Sequence, residues 1–212
     1  MNGQISEMIQ MSCDDTEMKS IRSIAGHVFV VETKQHLYLL KTLPNVPADF
    51  FIKEAEGLRE IRKSNGIRVP DVHAAAEPSS ERNGFIVMDF IEGPKSPSTE
   101  QKLGTGIAKM HQYFATSFGF TSDNYIGNLD QPNGWHDHWP SVYRDRRLAV
   151  QAAYAEQRGR MHSSRKTKME KLLERLDEYL PGDVKPSLLH GDLWGGNWIT
   201  GPGGDPFLID PA

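Results

Sequence analysis

Apolar residues change their spacing several times along the chain, and each change marks an element. Ile5, Met8 and Ile9 share one side of a short helix predicted over residues 5–11. Residues 20–33 contain the β-like run Val28-Phe29-Val30-Val31. Residues 36–43 form a clearer strand, in which Leu37, Leu39, Lys41 and Leu43 alternate onto one face. Helical spacing returns over residues 49–63, where Phe51, Leu58 and Ile61 lie near one stripe. Asn65-Gly66 ends that helix, and Val69-Pro70 leads into an extended segment. After a polar turn over residues 79–84, Gly84-Phe85-Ile86-Val87-Met88 reads as a buried strand.

The second half is mostly helical. Ser98-x-x-Gln101 has the form of a capping box. Leu103, Ile107, Met110 or His111, and Phe114 follow at helical spacing, with His111 expected to pack in the core. Residues 117–140 make a long aromatic loop, too rich in Phe, Tyr and Trp to be disordered. His136, Asp137 and His138 lie within it but do not make a complete metal-ligand set. Residues 142–154 look helical, and residues 158–171 read as a basic linker and helix start. Met169, Leu172, Leu173, Leu176 and Leu180 then mark an amphipathic helix packed on the core, stopped by Pro181-Gly182. Two short apolar runs close the chain, Leu188-Leu189 and Phe207-Leu208-Ile209.

Polar residues set against this pattern carry the chemistry. Lys41 shares a strand face with three leucines, where a lysine can lay its stem along apolar surface and keep its ammonium in water. Glu54 lies on the stripe of Leu58 and Ile61, where a carboxylate is costly unless paired. Each residue solves the other's problem. A strand lysine paired to a helix glutamate is the kinase arrangement for positioning nucleotide phosphates.

The two closing apolar runs end at His190-Gly191-Asp192 and at Asp210, with Asn197 between them. Asp192-Leu193-x-x-x-Asn197 reproduces the D-L-x-x-x-N part of the kinase signature. Asp210 stands where a metal-binding aspartate is expected, and oxygen ligands suit Mg²⁺. A plain His-Gly-Asp turn and a strand ending in Asp is the alternative. The ordered set of Asp192, Asn197 and Asp210, with strand-like runs before both aspartates, favours the kinase reading. Gly26 occupies the place either of a phosphate-covering loop or of an ordinary tight turn. Composition changes after Met88, over Asp89-Phe90-Ile91-Glu92-Gly93-Pro94. That sets an expected boundary between a lobe of residues 1–90 and one of residues 91–212. Met88, Asp89 and Ile91 become candidates for an adenine-binding hinge, and a simple strand exit is the alternative.

Composition narrows the classes. A formal net charge of −4 over 212 residues argues against a nucleic-acid surface covering most of the protein. One cysteine, Cys13, rules out an intrachain disulfide framework and makes a cytoplasmic setting the default expectation. No signal peptide and no run of about 20 apolar residues is seen, so no membrane association is expected.

With these pieces together, the sequence resembles the fructosamine kinase (ketosamine-3-kinase) family, within the aminoglycoside-phosphotransferase-like branch of the protein-kinase fold. The resemblance covers most of residues 20–212. It is most specific at His190-Gly191-Asp192-Leu193-Trp194-Gly195-Gly196-Asn197 and at Leu208-Ile209-Asp210-Pro211-Ala212. Residues 51–58 and 118–147 look like the same family. It implies an α+β, two-lobed protein-kinase-like fold, with a small β-rich N-lobe and a mostly helical C-lobe. It also implies ATP and Mg²⁺ as cofactors. The expected reaction is phosphorylation of the sugar 3-hydroxyl of a small or protein-bound ketosamine, a step toward deglycation. By matching positions, Asp192 is the expected catalytic base, and Asn197 and Asp210 the Mg²⁺ ligands. Lys41 with Glu54, Gly26 and the hinge would hold the nucleotide. Trp194, Asn128 and Trp135 are substrate candidates, with a structural role for the Trp194 indole as the alternative.

The sequence departs from the family at Gly26, where a glycine pair is usual. It also stops two residues after Asp210, so the C-lobe is expected to be incomplete. Other small hydroxyl or aminoglycoside acceptors, or an inactive nucleotide-binding fragment, are the competing expectations.

Overall fold

The computed structural model describes residues 2–14 and 17–212. The chain divides into two compact units. The first comprises the residues up to Gln112 together with Leu189–Ala212, and the second is Tyr113–Leu188.

The first unit opens with helix α1 (Asn2–Ser12), followed by strands β1 (Met18–Ala25), β2 (Val28–Thr33) and β3 (Leu37–Leu43). Helix α2 (Phe50–Lys63), strand β4 (Val72–Ala76), strand β5 (Gly84–Asp89) and helix α3 (Thr99–Met110) come next. The five strands form one antiparallel sheet in the order β1-β2-β3-β5-β4. One sheet face carries Phe29, Val31, Tyr38, Leu40, Phe85 and Val87, and α1 covers it with Ile5, Met8 and Ile9. This is the side of α1 that the sequence pattern predicts.

Strand β3 buries the opposite face from the one its leucines suggest. Tyr38, Leu40 and Thr42 are buried, whereas Leu37 is 49% exposed and Leu39, Lys41 and Leu43 are half-buried. The reason is tertiary: α1 seals the Tyr38 face, and the Lys41 face turns toward α2. Helix α2 itself buries Phe51, Ala55, Leu58 and Ile61, as its spacing predicts. Strand β5 is buried from Gly84 to Met88 because it lies between β3 and β4.

Helix α3 starts without the expected capping box. Ser98 makes no side-chain cap bond. Instead, fully buried Thr99 uses its Oγ1 to accept the Ser96 N–H at 2.8 Å and to donate to the Gly204 carbonyl at 2.7 Å. The helix ends at Met110, so His111 is a half-buried cap residue rather than core, and Phe114 lies beyond it, 50% exposed.

The second unit contains the hairpin β6 (Asn124–Ile126) and β7 (Leu129–Gln131). Gly127 adopts φ 58, the left-handed conformation such a tight turn demands. The long loop is held by buried amides. Asn133 donates to Asp123 Oδ1, Ser122 O and Asn124 Oδ1 at 2.7–2.9 Å. Arg147 donates to Asn133 Oδ1 at 2.6 Å and Pro132 O at 2.9 Å. Burial pushes the Arg147 guanidinium pKa down, and its bonds here are to neutral oxygens. The expected helix over residues 142–154 runs as α4 (Trp139–Val142), a π-helical stretch (Tyr143–Leu148) and α5 (Ala149–Gln157).

Next are α6 (Ser163–Glu174) and α7 (Leu176–Tyr179). Here the predicted core helix is not realised. Of its stripe only Leu176 is buried, and Leu172 is 38% exposed. The run Ser163-Ser-Arg-Lys-Thr-Lys is polar on every side and offers no continuous apolar face.

The chain then rejoins the first unit. Leu188-Leu189 is not a strand: Ser187 makes an isolated bridge with Phe114, Leu188 N–H donates to Tyr113 O, and Leu189 is 54% exposed. The second apolar run does form one. Strands β8 (Trp198–Thr200) and β9 (Pro206–Leu208) make a short hairpin, with Phe207 and Leu208 buried.

Two glycines give opposite expectations. A Cβ at Gly66 would overlap the Met110 backbone, whereas one at Gly104, on the exposed side of α3, meets nothing within 4 Å. Gly66→Ala should destabilise by about 1–3 kcal/mol through overpacking. Gly104→Ala should stabilise by about 0.5–1 kcal/mol through helix propensity. Urea titration of the two variants checks both signs.

Candidate active site

Strand β3 and helix α2 bring Lys41 and Glu54 together. Lys41 Nζ donates to Glu54 Oε1 at 2.8 Å and also contacts Asp210 Oδ1. The Lys41 and Glu54 side chains are only 15% and 11% exposed, while Asp210 is 44% exposed. Burial works against the Lys41 ammonium, but the charges of Glu54 and Asp210 outweigh it and hold its pKa above the ordinary lysine value. Burial pushes the Glu54 carboxyl up, and Asp210 adds to that, against the opposing pull of Lys41. The lysine side of this balance is the firmer, because two carboxylates face one ammonium.

A second set of bonds shapes the loop after Leu189. His190 is 2% exposed. Its Nδ1 accepts the Asp192 N–H at 3.4 Å, so Nε2 carries the ring proton and donates to the Ile209 carbonyl at 2.9 Å. The His190 carbonyl accepts the Ala212 N–H at 3.0 Å. Gly191, at φ 88, lies so close to Ala212 that a Cβ would overlap its carbonyl. Buried Asn197 spends both Nδ2 protons on Asp192, at 2.8 Å to the carbonyl and 2.9 Å to Oδ2. The Asn197 carbonyl takes the Ile209 N–H at 3.0 Å. Asp210 follows with φ 56, a left-handed conformation that aspartate tolerates better than most residues. Asn197 is thus bonded directly to Asp192 and, through the Ile209 N–H, to the segment that bears Asp210, and Lys41 joins Asp210 to Glu54.

Asn197 Oδ1 and the Asp210 carboxylate are hard oxygen donors, and a Mg²⁺ ion that keeps several waters needs only one or two such protein ligands. Among the described residues no group of three His, Cys, Asp or Glu side chains is placed to hold a metal. The oxygen pair suits an ion that also binds phosphate oxygens, and does not form an all-protein cage. In the His136-Asp137-His138 segment Asp137 accepts from Ser117 Oγ and His138 Nδ1 lies 3.0 Å from Ser141 Oγ, whereas the buried Nε2 of His136 has no hydrogen-bond partner among the described residues.

The remaining candidates fall as follows. Gly26 is in the β1–β2 turn at φ 46, with open space around it. Met88 is buried in β5. Asp89 bonds His73 Nε2 at 2.8 Å, and its N–H donates to Asp71 O, while the Phe90 N–H donates to Leu37 O. Ile91 packs at Gly201, where a Cβ would collide with it. Trp194 is 64% exposed, and its indole lies over Gly196, which has no room for a Cβ. Asn128 is exposed in the β6–β7 turn and Trp135 is 50% exposed; both belong to the second unit. His190 has a bracing role that its place in the motif did not disclose, since the partner carbonyl lies 19 residues on.

The comparisons with known proteins agree with one another. The fructosamine kinase family model matches residues 1–212. A "probable ketoamine kinase" of Enterococcus faecium is 36% identical over 198 residues, covering 92% of this chain and 69% of its own length. The chloroplastic protein-ribulosamine 3-kinase of Arabidopsis thaliana is 30% identical over 217 residues, covering 98% of this chain and 65% of its own. The chain therefore spans about two thirds of the length of these relatives. A crystal structure from Haemophilus somnus, assigned as a fructosamine-3-kinase, superposes with a TM-score of 0.84 at 22% identity, over 100% of this chain and 72% of that one. At that identity the likeness shows the fold, an α+β kinase-like fold.

The buried pair and the buried imidazole each yield a test. Lys41→Met leaves Glu54 buried without its cation and should cost about 3–5 kcal/mol, most of it recovered in the Lys41→Met/Glu54→Gln double variant. Purely additive losses in that cycle would separate the two residues. Burial, partly offset by the Ile209 bond, holds the His190 pKa below its ordinary 6.5. As pH falls below that value the unfolded chain takes up a proton that the folded ring refuses, so stability is complete above it and declines below it. The decline stops where the folded ring also protonates. The thermal midpoint should drop between about pH 7 and 5 more steeply in the wild type than in His190→Gln. Parallel slopes would assign the acid sensitivity to other groups.

Proposed function

The chain belongs to the fructosamine kinase family, and from that premise we propose that it carries the ATP-dependent phosphotransfer site of a ketosamine kinase acting on the sugar 3-hydroxyl. The observation behind this reading is that Lys41 meets Glu54 and Asp210, while Asn197 holds Asp192 and accepts the N–H of Ile209 beside Asp210. Their roles follow from their chemistry. Lys41, oriented by Glu54, offers its ammonium to the nucleotide phosphates. Asn197 Oδ1 and the Asp210 carboxylate would hold Mg²⁺, which when bound neutralises charge on the phosphate oxygens. Asp192 is held by Asn197 and accepts the proton of the acceptor hydroxyl as that oxygen bonds to the transferred phosphorus. The bond to the ADP oxygen breaks in the same transfer.

The nucleotide base would be read by the backbone after Met88. The sheet already uses the Asp89 and Phe90 N–H groups, which leaves Ile91 N–H as the hinge donor. A lobe boundary near residue 90 fits that role. Gly26 gives its turn the freedom to approach phosphates. Trp194 offers an exposed aromatic face two residues from Asp192.

The test is ADP release in a coupled assay, with a ribulosamine or fructosamine as acceptor. Acceptor-dependent turnover is expected. Asp192→Asn should lower it by about 10²–10⁴-fold with nucleotide binding retained. Asp210→Asn should weaken Mg²⁺-ATP binding more than adenosine binding, measured by calorimetry. Near wild-type turnover in Asp192→Asn, or equal losses for both ligands in Asp210→Asn, would overturn the corresponding role. Turnover with an aminoglycoside and none with ketosamines would replace the acceptor class.

A further inference from the structure

Away from these residues, the first unit has a cleft of about 330 Å³ between the loop after α2, one side of α3 and the tip of the β8–β9 hairpin. Its floor is close-packed. Gly66 rests against the Met110 backbone, and a Cβ on Gly106 would sit 3.1 Å from Ile67. Its walls present Arg68, Lys102 and Lys109 from two elements, with Asp205 as the one carboxylate among the lining residues. Lys102 Nζ is 2.6 Å from one Asp205 oxygen, and Arg68 is 3.4 Å from the other. The Arg68 guanidinium also stands 5.8 Å over the Phe207 ring, which steadies it. Among the described residues no carboxylate lies within ion-pair distance of Lys109.

Three cations therefore line a concave site that holds one carboxylate, which pairs with two of them, on a chain whose net charge is −4. Such a cleft concentrates anions by focusing the field between its walls. Asp205 has two oxygens, and they serve Lys102 and Arg68 only. A tetrahedral group with three free oxygens can meet all three cations, with Arg68 as a planar fork and the lysines as point charges. Thr105 and Gln101 add neutral polar groups to the lining. We infer that this cleft is a second anion site, distinct from the Lys41 cluster, that takes a phosphate group, free or carried by a small phosphate monoester.

The site has a physical route to the phosphotransfer residues. The Arg68 carbonyl accepts the Leu208 N–H at 2.9 Å, and Lys102 also donates to Gly203 O at 3.2 Å. The same hairpin carries Asn197 just before β8 and Asp210 two residues after β9. An anion that draws Lys102 and Arg68 from Asp205 loosens the hairpin tip whose base bears both proposed metal donors.

The probe is inorganic phosphate, titrated into the ¹⁵N-labelled chain at constant ionic strength, with amide shifts read residue by residue. Saturable shifts are expected at Gly66, Arg68 and Thr105. Arg68→Ala and Lys109→Gln should each weaken that saturation by about fivefold or more, as expected for loss of one charge-assisted contact. Asp205→Asn should tighten it, because it removes the competing carboxylate; a purely structural role for these residues predicts no tightening. Lys109→Gln keeps the test valid if Arg68→Ala fails to fold, since Lys109 has no described ion pair to lose. Linear shifts without saturation, or equal affinity in the wild type and the Lys109 and Asp205 variants, would overturn the site. Tighter saturation by a hexaglutamate peptide than by phosphate would overturn the phosphate assignment in favour of an acidic protein segment.

Discussion

A lysine ammonium buried between two carboxylates is the constraint on which the rest of the site depends. Lys41 comes from β3, Glu54 from α2 and Asp210 from the segment after β9. Burying such a charge unpaired costs several kcal/mol, so the three segments are held to one arrangement. The sheet places Lys41 because α1 seals the other face of β3. Helix α2 places Glu54 because Phe51, Ala55, Leu58 and Ile61 hold its register. A change in either packing face would therefore reach the ion cluster without touching it.

The loop bearing Asp192 is ordered by a different device. It has little regular structure, and its shape is carried by side-chain bonds to backbone and by glycines at close approaches. His190 clasps the Ile209 carbonyl, Asn197 clasps Asp192, and Gly191 lets the Ala212 backbone pass. These bonds set the positions of one carboxylate and two oxygen donors. In phosphoryl transfer such positioning and charge placement make up most of the catalytic effect.

The second unit shows a comparable economy. Its aromatic loop has one short hairpin, and Asn133, Gln131, Asn124 and Arg147 supply the bonds that a longer sheet would otherwise provide. Arg147 reaches the loop from the π-helical stretch.

Much of this was legible in the sequence where local spacing and chemistry coincide. The α1 side of Ile5, Met8 and Ile9, the α2 stripe, the buried run of β5 and the Lys41–Glu54 pairing follow from periodicity and from the cost of a buried charge. The spacing of Asp192, Asn197 and Asp210 reflects the local loop and short hairpin that separate them, and it carries the proposed site. Other features depend on partners far along the chain, which no local pattern encodes. Which face of β3 is buried depends on α1. The start of α3 depends on Gly204, over a hundred residues after Thr99, so Ser98 does not cap it. Among the described residues Leu188-Leu189 has the composition of a strand but joins no ladder, and the Met169–Leu180 stripe has the spacing of a core helix but buries only Leu176. Hydrophobic spacing states what a segment is able to bury; only the tertiary structure decides whether a neighbour is there to cover it.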